Sequence, residues 1–469
     1  MEQTRIERDS IGEKTVPADA YYGVHSLRAL ENFSITGTRM HPEMIRSLAI
    51  LKKACAIANA EAEVLDWTRA DAISRACDEI AAGRFHDQFI VDPMQGGAGT
   101  SMNMNANEVI ANAAIAQLGG RLGDYSIVHP NDHVNCGQST NDVIPTAGKM
   151  TALVLMRRLE KALAQLVAAL DQKAEEFDCI LKMGRTQLQD AVPVRLGQEF
   201  RAYATAVRRG LKRVTHSAHE LTSINMGGTA IGTGINADST YYLRISETLS
   251  AYVDAELHQA TDLIDSTQNV DCFAAVSSAV RNCAIALSKI ANDLRLMSSG
   301  PRTGFGEISL PARQNGSSIM PGKVNPVIPE IVNQVAFRIA GNDVTISMAV
   351  EAGQMELNAF EPVIFCCLFQ SIDELTHAVE TFTTNCVSGI TANRERCIEL
   401  LESSIGIVTA LCPYIGYNKA ASLAKEALAK NVPIRQLVLE QGLMPREQLD
   451  SILDIQGMTH PGIPGKSPF

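Results

Sequence analysis

Apolar residues recur at three- and four-residue steps along most of this chain, the spacing that lines one face of an α-helix. Between Glu43 and Glu63 the stripe is Met44, Leu48, Leu51, Cys55 and Ala58. Between Trp67 and Ala82 it is Ile73, Cys77 and Ile80. Both segments read as helices of a mostly helical N-terminal domain, residues 1–140. Residues 1–40 lack such a period and read as loop and short elements.

The middle of the chain is built on a larger scale. Residues 146–177 carry Leu153, Met156, Leu159, Leu163, Leu166, Val167 and Leu170 on one stripe and predict one long helix. Pro145 falls near its start, where proline is tolerated. Further helices are predicted over 196–224, 239–252, 269–298, 329–355 and 360–387. An irregularity is expected at Gly341-Asn342, and Pro362 starts or bends the last helix. Long helices poor in aromatic residues describe a bundle over residues 141–391 rather than an α/β sheet. Alanine-rich seams on more than one face predict that such bundles associate into an oligomer. Residues 392–469 read as a small C-terminal helical domain, with short helices over 393–403, 419–430, 433–441 and 445–453. The pairs His460-Pro461, Ile463-Pro464 and Ser467-Pro468 mark a loose tail. The expected fold class is mainly α, in three domains.

Charge and cysteine usage narrow the partners. The net charge is −11 and no basic stripe appears, which argues against nucleic acid and anionic membrane. No apolar run reaches the length of about eighteen residues that a membrane helix needs. The charged start at Met1-Glu2-Gln3 carries no apolar signal-peptide core. Eleven cysteines without a CxxC pair or metal spacing read as reduced thiols of a cytoplasmic protein. Against this acidic background an anionic substrate needs local cations, which draws attention to Lys323 and Arg185.

Four polar segments interrupt the helices. The first, Gln95-Gly96-Gly97-Ala98-Gly99-Thr100-Ser101, leads into a helix, and its N–H groups suit either a cap or an anion. The second holds His129-Pro130-Asn131-Asp132-His133 and then Ser139-Thr140-Asn141-Asp142. Its histidines lack further ligands nearby, so no metal is expected. Ser139-Thr140-Asn141 suits an N-cap or, backed by the helix dipole, an anion. The third is Gly184-Arg185-Thr186-Gln187-Leu188-Gln189-Asp190. The fourth is Gly316-Ser317-Ser318-Ile319-Met320-Pro321-Gly322-Lys323-Val324-Asn325-Pro326. It gathers hydroxyls, a lysine and an amide between glycines, the makings of a carboxylate-binding loop. It is not a phosphate-binding P-loop. The glycine spacing is one residue too long, and Val324 stands where the magnesium-holding Ser or Thr belongs. Gly227–Asn236 is a further glycine-rich stretch and reads as a bent loop.

The fourth segment resembles, almost letter for letter, the signature loop of the aspartase/fumarase superfamily. The resemblance runs from Asp19-Ala20-Tyr21-Tyr22-Gly23-Val24-His25 to about Cys412-Pro413. It implies a central long-helix bundle, a homotetramer whose subunits share each active site, and no cofactor. It also implies that Ser317 is the base and that Lys323 and Asn325 hold one carboxylate of a small dicarboxylate, helped by Thr186. Thr100, Ser139, Thr140 and Ser318 would stabilise charge on the other carboxylate, and Asn141 and Gln187 would seat the leaving group. His129, Asn131 and Asp132 match a second anion site of fumarases. Several superfamily members carry histidine where this chain has Gln187. Glutamine cannot titrate, which suits a leaving group that is already protonated. The reading is therefore elimination of ammonia from L-aspartate to give fumarate. Hydration of fumarate is the alternative, and a non-catalytic structural role is a third. A thirty-residue helix spans roughly 45 Å, so one bundle alone hardly gathers all these residues.

Overall fold

The computed structural model describes residues 3–466. Ser467-Pro468, read as tail, lies outside them. The described chain is mainly helical, with four small two-stranded sheets.

In chain order, the hairpin β1 (Thr4–Arg8) and β2 (Glu13–Pro17) precedes α1 (Val24–Asn32), α2 (Pro42–Glu61), α3 (Trp67–Ala81) and α4 (Thr100–Gln117). The long α5 (Thr140–Glu176) leads to a second hairpin, β3 (Leu181–Thr186) and β4 (Gln189–Arg195), and then α6 (Leu196–Ala218). Next come β5 (Ser223–Ile224), α7 (Ser239–Ser250), β6 (His258–Gln259), α8 (Leu263–Gln268) and α9 (Asp271–Met297). After β7 (Ile308–Ser309) follow α10 (Val327–Glu351), α11 (Glu361–Asn385), β8 (Thr391–Ala392) and α12 (Arg394–Ser403). The C-terminal helices are α13 (Cys412–Ile415), α14 (Tyr417–Lys430), α15 (Ile434–Glu440) and α16 (Arg446–Ile452).

The chain divides into two compact units, and the five long helices contribute residues to both. The first unit runs through Lys161 and adds Leu211–Ala284 and Ala336–Thr376. Its interior holds Leu48, Leu51, Ile73, Ile110, Ile144, Tyr241 and Phe273. The second unit takes Ala162–Gly210, Ile285–Val335 and the chain from His377 on. Leu166, Phe200, Leu294 and Phe382 are buried in it, and Leu423, Leu437, Val438 and Leu449 form a further small core.

Three local expectations change. First, α5 begins at Thr140, ahead of Pro145. Proline has no N–H for the carbonyl four residues back, and Asn225 Nδ2 donates to that Asn141 carbonyl instead, at 2.9 Å. Second, α10 runs without a break through Gly341-Asn342. Gly341 is exposed, and its neighbours are tied down: Asn342 Nδ2 donates to Ser371 Oγ at 3.0 Å, and Asp343 takes Ser277 Oγ and Arg281 Nη1. The glycine's weak helix propensity is outweighed. Third, the segment after α5 is a β-hairpin with a bulge between Met183 and Arg185, where no strand was expected.

The start of α1 gives a stability prediction. Glu108 is buried and accepts from Gly23 N, His25 N, Ser26 N and Ser26 Oγ at 2.6–3.1 Å. Burial raises its pKa, while the Ser26 hydroxyl and these N–H groups pull it down. A Cβ on Gly23 would lie 2.6 Å from Glu7 Oε2 and 2.7 Å from the Tyr125 hydroxyl. Gly23→Ala should therefore cost about 1–3 kcal/mol by overpacking. The check is the thermal midpoint, and an unchanged midpoint would contradict this packing argument.

Candidate active site

Four of the candidate residues belong to the first unit. Thr100 opens α4 and is exposed. Gly97, Ala98 and Gly99 before it all have φ between +53° and +93°. A Cβ on Gly99 would sit 2.8 Å from Ile144, so glycine is required there twice over. Thr100 Oγ1 donates to Gly97 O at 2.8 Å. Asn105 braces the approach, accepting from Ile90 N and donating to Gln88 O.

Ser139, Thr140 and Asn141 are half-buried at the start of α5. The run Ser-Thr-Asn-Asp forms a capping box. Ser139 Oγ accepts from Asn141 N at 3.2 Å, and Asp142 Oδ1 accepts from Ser139 N at 2.9 Å. Thr140 Oγ1 accepts from Asn103 Nδ2 at 3.3 Å. Both hydroxyls thus use their oxygens as acceptors and keep their hydrogens to donate, which is what a carboxylate ligand needs. The cap and the anion-binding reading are compatible.

Lys52 is the residue that sequence reading missed here. It is fully buried on α2, and its Nζ donates to Asn135 Oδ1 and Gln138 Oε1, both at 2.8 Å. Asn103 and Asn107 also donate to Asn135 Oδ1, at 3.2 Å each. Lys52 therefore anchors, through Asn135 and Asn103, the network that reaches Thr140. Burial lowers Lys52 to about 8 and raises Asp142 to about 7, and each charge partly offsets the other's shift. The signal was legible: Lys52 follows Leu48 and precedes Cys55 on the apolar stripe of α2.

The other candidates belong to the second unit. Thr186 and Gln187 are exposed at the tip of the β3–β4 hairpin. Gln187 (φ +54°) and Leu188 (φ +63°) form its two-residue turn, both left-handed. Such turns favour Asn-Gly, so this one holds strain at a candidate binding residue. Arg185 is not a free cation. Its Nη1 bonds Glu307 Oε1 at 2.8 Å, and its guanidinium lies 4.1 Å from the Phe305 ring centroid. Glu307 is fully buried and also meets Lys182 Nζ at 3.1 Å, while Lys182 bonds Glu199 at 2.9 Å. The expectation that Arg185 attracts substrate gives way to an anchoring role beneath the hairpin.

The loop from Gly316 to Asn325 closes on itself. Gly316 N donates to Lys323 O at 2.8 Å, and Asn325 Nδ2 donates to Gly316 O at 2.7 Å. A Cβ on Gly316 would lie 2.7 Å from the Asn325 nitrogen. Inside this loop, Ser317 Oγ accepts from Ile319 N at 3.2 Å and from Met320 N at 3.0 Å. Two backbone N–H groups on one hydroxyl oxygen favour its alkoxide form. Ser318 and Lys323 are exposed. Among the described residues, the Lys323 amine has no ion pair. Ile319, 84% exposed, stands beside them.

His129 Nδ1 accepts from Asn131 N and Asp132 N, both at 3.2 Å, so this ring nitrogen caps its own turn. Among the described residues, no cluster of three or more His, Cys, Asp or Glu side chains could hold a metal ion.

The Lyase family model matches residues 12–341, and the fumarase C C-terminus model matches residues 407–460. An aspartate ammonia-lyase of Bacillus sp is 54% identical over 98% of this chain and 99% of its own length. Among solved structures, a fumarate lyase:delta crystallin from Brucella melitensis bound to cobalt is 48% identical, with a TM-score of 0.95 over 98% of this chain and 100% of that one. A class II fumarase from Schistosoma mansoni is 34% identical, with a TM-score of 0.94 over 97% of this chain and 99% of that one. The signature loop, the long-helix fold and these full-length likenesses agree: the chain belongs to the lyase family of the aspartase/fumarase superfamily.

Proposed function

We propose that the chain deaminates L-aspartate reversibly to fumarate and ammonia. The observation that carries the chemistry is Ser317 Oγ, held by two backbone N–H groups in a loop that also presents the exposed Lys323. The proton at C3 of aspartate is weakly acidic, and its removal leaves a dianionic aci-carboxylate. Ser317, as alkoxide, takes that proton. Ser139, Thr140 and Ser318 donate hydrogen bonds to the β-carboxylate as its charge grows, joined by Thr100 once its hydroxyl turns from Gly97 O. Lys323, Asn325 and Thr186 hold the α-carboxylate. The electron pair from C3–H then forms the C2=C3 double bond, and the C–N pair leaves with nitrogen as neutral ammonia. Asn141 and Gln187 seat the substrate's ammonium group before it departs as ammonia. Gln187 supplies no proton, and an ammonium needs none; a hydroxide would. Closure of the 316–326 loop would exclude water from the site.

Three supporting readings go with this. The active form is a homotetramer with shared sites. Phe337, Val344 and Met348 lie exposed at helical spacing on α10, an apolar stripe suited to a second copy of the chain. The chain works in the cytoplasm, in keeping with eleven free cysteines, and uses no cofactor. It is organised as domains 1–140, 141–391 and 392–469.

Purified protein given L-aspartate should release fumarate and ammonium in equal amounts, and given L-malate should release no fumarate. Fumarate from malate alone would instead establish a hydratase.

A further inference from the structure

Gly227–Asn236 takes no part in the proton transfer above, yet its backbone is tightly determined. Gly227, Gly232 and Gly234 have φ of +89°, +95° and +71°. A Cβ on Gly232 would lie 2.5 Å from the backbone of Ile264. Thr229 also sits at φ +53°, a costly conformation for a β-branched residue. That conformation is held by Asp142. Its Oδ2 accepts from Thr229 N at 3.0 Å and from Gly227 N at 3.2 Å, while its Oδ1 accepts from Ser139 N. One fully buried carboxylate therefore joins the start of α5 to the glycine-rich loop.

The loop then sets the orientation of Asn141. Its Nδ2 donates to the carbonyl of Ala230 at 2.7 Å. A carbonyl only accepts, so the amide nitrogen must face Ala230 and Oδ1 must face away. The backbone of Asn141 is pinned as well, because Asn225 holds the carbonyl that Pro145 leaves open. A flipped amide would set oxygen against oxygen and forfeit the bond.

We propose that Asp142 is a positioning residue: by clamping the 227–230 loop it locks Asn141 with its amide oxygen toward the substrate, which selects a cationic amine as leaving group. This rests on the reading of the chain as an aspartate-deaminating lyase. A locked oxygen accepts from an ammonium and has nothing to offer a carboxylate. Asp142 should therefore govern recognition of the amine and leave recognition of the two carboxylates alone.

The test compares wild type with Asp142→Asn at pH 8. The variant keeps an oxygen for Ser139 N, but its NH2 meets the N–H groups of Gly227 and Thr229 and releases the loop. Two ligands are measured: L-aspartate by KM, and succinate, which has both carboxylates and no amine, by its inhibition constant. The expected result is a KM for aspartate raised about tenfold or more, the loss of a charge-assisted hydrogen bond, with the succinate constant within about twofold of wild type. Equal weakening of both ligands, or of neither, would overturn the proposal while wild-type turnover still upheld the lyase reading. A wild type inactive on aspartate would overturn that reading and this inference together. If Asp142→Asn fails to fold, a wild-type crystal structure with aspartate decides. The amine should lie within about 3 Å of the Asn141 amide atom distal from Ala230, and an amine bound elsewhere would refute the idea.

Discussion

Ser317→Ala is expected to lower turnover of L-aspartate by about 10³-fold or more, at the upper end of what loss of a general base costs. The variant has no oxygen to take the C3 proton, and nothing else in the loop replaces it: Lys323 is a cation, and Ser318 has no N–H groups directed at its oxygen among the described residues. The fold should survive. The N–H groups of Ile319 and Met320 that lose their acceptor belong to exposed residues and can turn to water, so stability should change by no more than about 0.5 kcal/mol. Fumarate absorbance gives the rate, and a thermal melt gives the control. Activity within about tenfold of wild type would remove Ser317 from the mechanism.

Lys323→Ala should raise KM for L-aspartate by about 10–100-fold, the range for a hydrogen bond to a charged group. The chain carries a net charge of −11, so an anionic dicarboxylate approaching it needs a local cation. Arg185 cannot serve, because Glu307 has already taken its charge. Lys323 is exposed on the loop that holds Ser317. Lys323→Arg should retain part of the affinity, since the charge persists while its shape differs. An unchanged KM in Lys323→Ala would sink the carboxylate role.

Most helices were legible because each is long and carries one apolar stripe. The stripe of Leu153 to Leu170 marks α5, and that of Phe273 to Leu294 marks α9. What escaped depends on partners distant in sequence. Pro145 reads as a boundary until Asn225 is seen to satisfy the carbonyl it leaves open. Gly341 reads as a break until the contacts of Asn342 and Asp343 are known. The β3–β4 hairpin has a Gln-Leu turn with neither Asn nor Gly, a bulge and Pro193 within a strand, so no two-residue alternation announces it. At the site, the hydroxyls, amides and lysine were legible as chemistry in glycine-marked loops. Their supports were less so. Glu108 and Asp142 are acids in helical segments, ordinary in sequence, and only burial shows that each holds a backbone turn in place.

The reaction removes nitrogen from C2 and a proton from C3 of a four-carbon dicarboxylate, and reverses by adding both. The most direct measurement runs the reaction backward: purified protein, fumarate and 15N-labelled ammonium in D2O, followed by NMR. The expected product is L-aspartate with 15N at C2 and a single deuterium at C3. Malate as the product, or fumarate left unchanged, would contradict it.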